Sequence, residues 1–324
     1  MPQPPRAMHA ILIRRFGGPE AVEFAEVHVP EPRAGELLLK VKAASLNPVD
    51  WKICSGKYPA VPESRLPFVL GRDLSGTVVI SDDPELPPGT LVHGLLDIAH
   101  GSFAEYAIAR PAEVARVPGT LDHIGAAAVP LAGLTAWQGL FDHGALRAGQ
   151  TVLIHAGAGG VGHFAVQLAK ARGATVIATA SGDHVDFVRS LGADQVIDHR
   201  HERFDDQVRD VDLVYDLVGG ETQERSWALL KQGGALVTTL AEPPQDKAQA
   251  HCVRATRYTV QPDAGQLREI DELIDAGKVR PHVERTFDMA SVHEAFAAIE
   301  HGHVAGKLVL DLATTITGVP DPVQ

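Results

Sequence analysis

The chain has 324 residues, enough for two hydrophobic cores. Its 41 acidic against 29 basic side chains give a formal net charge of −12, which repels a phosphate backbone and argues against a nucleic-acid partner. Two cysteines, Cys54 and Cys252, exclude a disulfide framework and any cysteine-rich structural zinc site, and they fit a reducing cytoplasm.

The run Ala10 to Ile13 is too short for a secretory or membrane segment, and no later stretch approaches the ~18 apolar residues of a span, so no membrane partner is expected. The first third reads as short strands: Ala10 to Ile13, Glu36 to Lys42 and Gly76 to Ile80. Prolines at 30, 32, 67, 84, 87 and 88 punctuate them, which suggests a barrel or a bent antiparallel sheet. From about Gly119 strands alternate with helices. Strands are expected at 151–155, 174–179, 195–197, 211–215, 235–239 and 254–260. Val161, Phe164, Ala165, Leu168 and Ala169 form one apolar helix face that Gly173 closes, and a second helix over 185–191 is stopped by Gly192. Such alternation predicts a doubly wound parallel sheet. The tail predicts helices near 266–276 and 291–301 and a strand over 307–312, too little for a core of its own. The domains are therefore placed at 1–120 with 263–324, and at 121–262.

Gly157-Ala158-Gly159-Gly160-Val161-Gly162 is a G-x-G-x-x-G loop. It follows an apolar strand and opens an amphipathic helix, the context that makes the pattern specific for a dinucleotide. Gly157 permits the tight turn, Gly159 admits the pyrophosphate and Gly162 allows close helix–strand packing. The helix N-terminus then faces the phosphates. At the end of the second strand, Ala180 and Ser181 stand where an NAD site usually carries an acid. Ser181 can donate to a 2′-phosphate, and His184, His199 or Arg200 can add charge, which points to NADPH over NADH. Asp183, turned to the ribose, would instead favour NADH. Arg189 reads as an ordinary surface side chain. Val218 and Leu240, after the strands at 211–215 and 235–239, are assigned to the same cofactor site.

In sequence order, Leu46-Asn47-Pro48-Val49-Asp50, Ser55 to Pro59, Gly71-Arg72-Asp73 to Val78, Ala132 to Ala136, the glycine loop, Leu191 to Asp194 and Gly306-Lys307-Leu308-Val309 resemble the medium-chain dehydrogenase/reductase superfamily over nearly the whole chain. The resemblance implies an α/β protein: a GroES-like β-barrel domain plus a Rossmann domain, pairing as a homodimer through the strand at 254–260. Zinc members carry Gly-His-Glu where this chain has Gly71-Arg72-Asp73, and a cation cannot ligate zinc. His199-x-His201 and His301-x-His303 lack a Cys or acid at metal-site spacing, so no metal is expected.

The resemblance implies the zinc-free quinone oxidoreductase branch, with hydride passing from NADPH to a quinone or an α,β-unsaturated carbonyl. Without a Lewis acid, hydrogen-bond donors must hold the developing oxyanion. Asn47, Lys52 and Tyr58 are the expected catalytic donors in the stretch that the family places beside the nicotinamide. Asn47, Thr135 and Lys307 are expected at the cofactor as well, and Asp50 is expected to hold its loop. Two other readings stay open: an enoyl reductase acting in trans on a biosynthetic thioester, and a non-catalytic NADPH-binding protein, crystallin-like or nucleic-acid-binding.

Overall fold

The computed structural model describes residues 4–302 and 304–313. Alternating burial along the strands builds the first domain. In the ten-residue strand Leu37–Leu46, Leu38 packs with Met8, Ala10 and Ile108, while Leu37, Leu39 and Val41 point the other way onto Phe103 and Phe296. This strand centres a seven-stranded sheet ordered Val283–Asp288, Lys307–Asp311, Leu37–Leu46, Asp73–Ile80, Leu91–Leu95, Val114–Arg116, with Tyr106–Ala109 also paired to Leu37–Leu46. Ala7–Ile13 lies between Val22–His28 and Phe68–Val69 in a separate three-stranded sheet.

The second domain is a Rossmann sheet. Its six parallel strands run Gln195–Asp198, Thr175–Ala180, Thr151–Ile154, Val211–Asp216, Leu230–Thr238, Arg254–Arg257. Chain order reverses between Thr151–Ile154 and Val211–Asp216, which opens a crevice at their C-terminal ends. The helix Gly162–Ala171 buries Phe164, Ala165, Leu168 and Ala169 completely, the stripe that its spacing predicts.

Three expectations change. The last strand stops at Arg257, because Tyr258 and Val260 turn into the core. The strand expected at 235–239 begins at Leu230. The tail divides: Leu267, Ile270 and Ile274 of helix Ala264–Asp275 join the core of Trp137, Val152 and Phe164, whereas Phe287, Phe296, Leu308 and Leu310 complete the barrel core. The chain thus returns to the barrel at Val283–Asp288, later than residue 263. Helix Ala264–Asp275 sits at the seam, where the buried His93 Nε2 lies 3.0 Å from Asp271 Oδ2. His303 lies outside the described residues, and so does the His301-x-His303 pair.

Candidate functional site

A cleft of about 540 Å³ lies between the barrel and the C-terminal ends of the Rossmann strands. It brings together Asn47, Lys52, Tyr58, Thr135 and Leu240 with Gly159, Gly160, Val161 and Gly162 of the loop. The lining is mainly apolar, with Val49, Trp51, Leu131, Leu217 and Val260 among its walls.

Local chemistry shapes each part of this cleft. Ala156 adopts a left-handed backbone (φ 55°) and turns the chain out of the strand Thr151–Ile154. The Gly157 N–H donates to the Thr179 carbonyl at 2.8 Å, tying the loop to the neighbouring strand. A Cβ on Gly162 would collide with the Ala156 carbonyl, and one on Gly157 would lie 3.0 Å from Ala178 Cβ. A Cβ on Gly159 would meet only the Ala156 carbonyl oxygen, at 3.5 Å, so this face is open. Two glycines buy close packing and a third leaves room for a ligand, at the N-terminus of a ten-residue helix. The cradle therefore fits a nucleotide diphosphate. Beneath it, the Gly306 N–H donates to the Ala158 carbonyl at 2.8 Å.

The barrel side rests on buried polar groups. Asn47 starts helix Pro48–Cys54, with Pro48 at its first position, and the Asn47 N–H donates to Asp50 Oδ2 at 2.7 Å. The Asn47 amide nitrogen donates to Asp73 Oδ2 (2.9 Å) and the Ser45 carbonyl (3.1 Å), while its oxygen accepts from Lys307 Nζ at 2.5 Å. Lys307 also donates to the Leu46 carbonyl at 2.8 Å and stands 3.9 Å from Asp73 Oδ2. Asp73 further accepts from the Ser45 hydroxyl (2.6 Å) and the Leu131 N–H (2.7 Å). Burial raises the Asp73 carboxyl above the usual range and lowers the Lys307 ammonium below its own. Burial also pushes Asp50 up to about 7, and its Oδ1 has no partner among the described residues.

Two expectations are corrected by this network. Asn47 uses both amide hydrogens internally, so it positions the helix and cannot donate to a substrate oxygen. The Lys307 ammonium is turned away from the crevice into the knot, and its side chain supports Gly160 from below. Lys52 Nζ and Tyr58 Oη have no hydrogen-bond partner among the described residues, and both border the cleft. Thr135 donates to the Leu131 carbonyl at 2.5 Å.

Ser181, His184 and His199 lie apart from the cleft, at the rim where the strands Thr175–Ala180 and Gln195–Asp198 end. His199 N–H donates to the Ala180 carbonyl at 3.0 Å and His184 N–H to that of Ser181 at 2.8 Å. Asp183 is paired with Arg200 at 3.2 Å, Asp198 with His201 at 2.6 Å, and Arg189 with Asp186 at 2.5 Å. Val218 is 50% exposed and outside the cleft, which Leu217 borders instead. Sequence reasoning passed over Arg72, Arg257 and Tyr258. Arg72 stands in the Gly71-Arg72-Asp73 landmark, where its charge speaks only against a zinc ligand. It is buried, bonds the Leu96 carbonyl through Nε (3.1 Å) and Nη2 (2.9 Å), and lines the cleft. Tyr258 Oη lies 2.6 Å from Tyr215 Oη.

Residues 33–119 match the alcohol dehydrogenase GroES-like domain and residues 191–310 the zinc-binding dehydrogenase model. The chain is 33% identical to a mitochondrial NAD(P)H oxidoreductase of Danio rerio (94% of this chain, 91% of that one). It is 35% identical to the chloroplastic NADPH-dependent alkenal/one oxidoreductase of Arabidopsis thaliana (94% and 80%). The solved quinone oxidoreductase of Coxiella burnetii is 36% identical, with a TM-score of 0.89 over 94% of this chain and 99% of that one. The chain belongs to the medium-chain dehydrogenase/reductase superfamily, in its quinone oxidoreductase-like branch. No helix among the described residues is long and apolar enough to cross a membrane.

The buried carboxyl of Asp50 makes stability depend on pH. Its folded value, about 7, stands above an ordinary 3.8, so the folded chain retains a proton that the unfolded chain releases between them. That contribution is complete below pH 3.8 and is lost as pH rises through about 7. Asp50→Asn should therefore gain stability relative to the parent across this window, as read by urea denaturation at a series of pH values. A difference that stays flat would show that Asp50 is ionised throughout.

Proposed function

We propose that this chain is an NADPH-dependent oxidoreductase that reduces a quinone or an α,β-unsaturated carbonyl without a metal. The observation that carries the reading is one crevice holding both a diphosphate cradle and two unpaired donors, Lys52 and Tyr58. Gly157 to Gly162 would hold the cofactor's diphosphate, with Ser181, His184 and His199 at the adenosine end. NADPH supplies a hydride when bound. The chain's own residues do the rest. Leu131, Val49 and Val260 exclude water from the reacting carbons. Lys52 and Tyr58 stabilise the negative charge that grows on the carbonyl oxygen, and either can pass a proton to it and recover one from solvent. Asn47 and Asp50 hold the helix that carries Lys52.

The absence of an acid directly after Ala180, and the engagement of Asp183 by Arg200, support NADPH. Metal independence is supported by Arg72, whose guanidinium lies in the cleft where a zinc ligand would stand in the zinc enzymes. Among the described residues no group of three or more His, Cys, Asp or Glu is placed to hold a metal ion. Cys54 and Cys252 are both free thiols, which supports a reducing compartment such as the cytoplasm. The strand Arg254–Arg257 ends the Rossmann sheet, an edge suited to pairing with a second copy.

Three measurements test these statements. Lys52→Met and Tyr58→Phe should each lower kcat by about 10²-fold with NADPH affinity retained, the loss expected for one oxyanion donor. Unchanged kcat in both would remove the segment from Asn47 to Tyr58 from the chemistry. Exhaustive chelation should leave turnover intact, and inactivation restored by zinc would overturn the metal-free reading. Sedimentation at micromolar concentration should give twice the chain mass of 34.5 kDa, whereas a monomer would refute edge pairing.

A further inference from the structure

The cleft has a charge that the rest of the molecule does not share. In a chain of net charge −12, its lining holds Lys52, Lys57, Arg72 and Arg257 and no Asp or Glu. None of the four has an acidic partner within ion-pair distance among the described residues. Arg72 and Arg257 bond carbonyls, of Leu96 and Leu240, and Lys57 Nζ stands 4.7 Å over the Trp51 ring. A cation left without a counter-charge beside an apolar wall is a recognition element for an anion.

The cofactor's own phosphates lie away from Arg257. The glycine loop that cradles the diphosphate follows the third strand of the sheet, three strand spacings from the strand that Arg257 ends, about 14 Å. The 2′-phosphate rim at Ser181 follows the second sheet strand, while Arg257 ends the sixth. Four strand spacings separate them in the sheet, about 19 Å at the usual separation. Lys57 belongs to the barrel, across the cleft from the sheet edge that carries Arg257.

We infer that the substrate is an anion: an apolar quinone or enone bearing a carboxylate or phosphate, which Lys57 and Arg257 bind at the mouth while its carbonyl reaches Lys52 and Tyr58. This rests on the reductase reading above and names its substrate class. A carboxylate would belong to the substrate itself, and phosphates to a carrier such as a coenzyme A thioester. Both fit the same cations.

The test compares benzylideneacetone, its para-carboxy analogue and crotonyl-coenzyme A as oxidants of NADPH. The anionic substrates should exceed the neutral ketone in kcat/KM by roughly tenfold, with the advantage falling as salt rises. Lys57→Gln and Arg257→Gln should each reduce that ratio severalfold. Preference for the para-carboxy ketone identifies a carboxylate, and preference for the thioester identifies carrier phosphates. Calorimetry with the saturated para-carboxy ketone, which cannot react, should show binding that both variants weaken. Equal or better use of the neutral ketone, with no salt dependence, would overturn the inference and leave the reductase reading standing. No oxidation of NADPH by any of the three, nor by 1,4-benzoquinone, would sink both.

Discussion

A lysine ammonium and two carboxyl groups sealed from water hold the two domains in register. Lys307, Asp73 and Asp50 are each fully or nearly fully buried, and ions removed from water are costly unless paired and hydrogen-bonded. Asn47 makes the arrangement tolerable by bonding all three neighbours: Lys307 through its oxygen, Asp73 through its amide, Asp50 through its backbone. Removing Lys307 or Asp73 alone would strand a buried charge, typically at a cost of about 3–5 kcal/mol. The knot joins four separate stretches of chain: the end of strand Leu37–Leu46, the start of strand Asp73–Ile80, the N-terminus of helix Pro130–Trp137 through Leu131, and the returning strand Lys307–Asp311.

The rest of the site inherits its position from that knot. Helix Pro48–Cys54 begins at Asn47, so the placement of Lys52 over the crevice follows from a buried hydrogen bond and not from contacts of Lys52 itself. On the other side, Gly306 and Lys307 lie against Ala158 and Gly160, so the same segment props the glycine loop. The donors and the cradle are thus set relative to one another by one polar cluster beneath them. Catalysis by positioned donors requires this kind of advance ordering.

Much of this was legible in the sequence because it was written locally. The glycine loop announces itself by spacing, and the Gly162–Ala171 stripe by period. The doubly wound parallel sheet followed from strand–helix alternation. What was hidden depends on long-range placement. Helix Pro48–Cys54 has only seven residues, too few for an apolar period to show, although Asn47, Pro48 and Asp50 form a capping sequence. The division of the tail between two cores could not be read from helix period alone, since Leu267 and Phe296 carry similar patterns and differ only in what they meet. Asn47 and Lys307 were placed at the site, yet their commitment to each other joins residues 260 apart. Arg72, Arg257 and Tyr258 converge on the cleft from three regions, and no spacing rule links them.

A double-mutant cycle on Asp73→Asn and Lys307→Met, read as kcat for NADPH-dependent reduction of an enone with folding monitored in parallel, tests the central role of the buried knot. Because each group exists to neutralise the other, the two single losses should overlap. The double variant should retain more activity than their product predicts, with a coupling of at least about 1 kcal/mol. Losses that simply add would show that the lysine and the aspartate act independently, and that the two domains are aligned by something else.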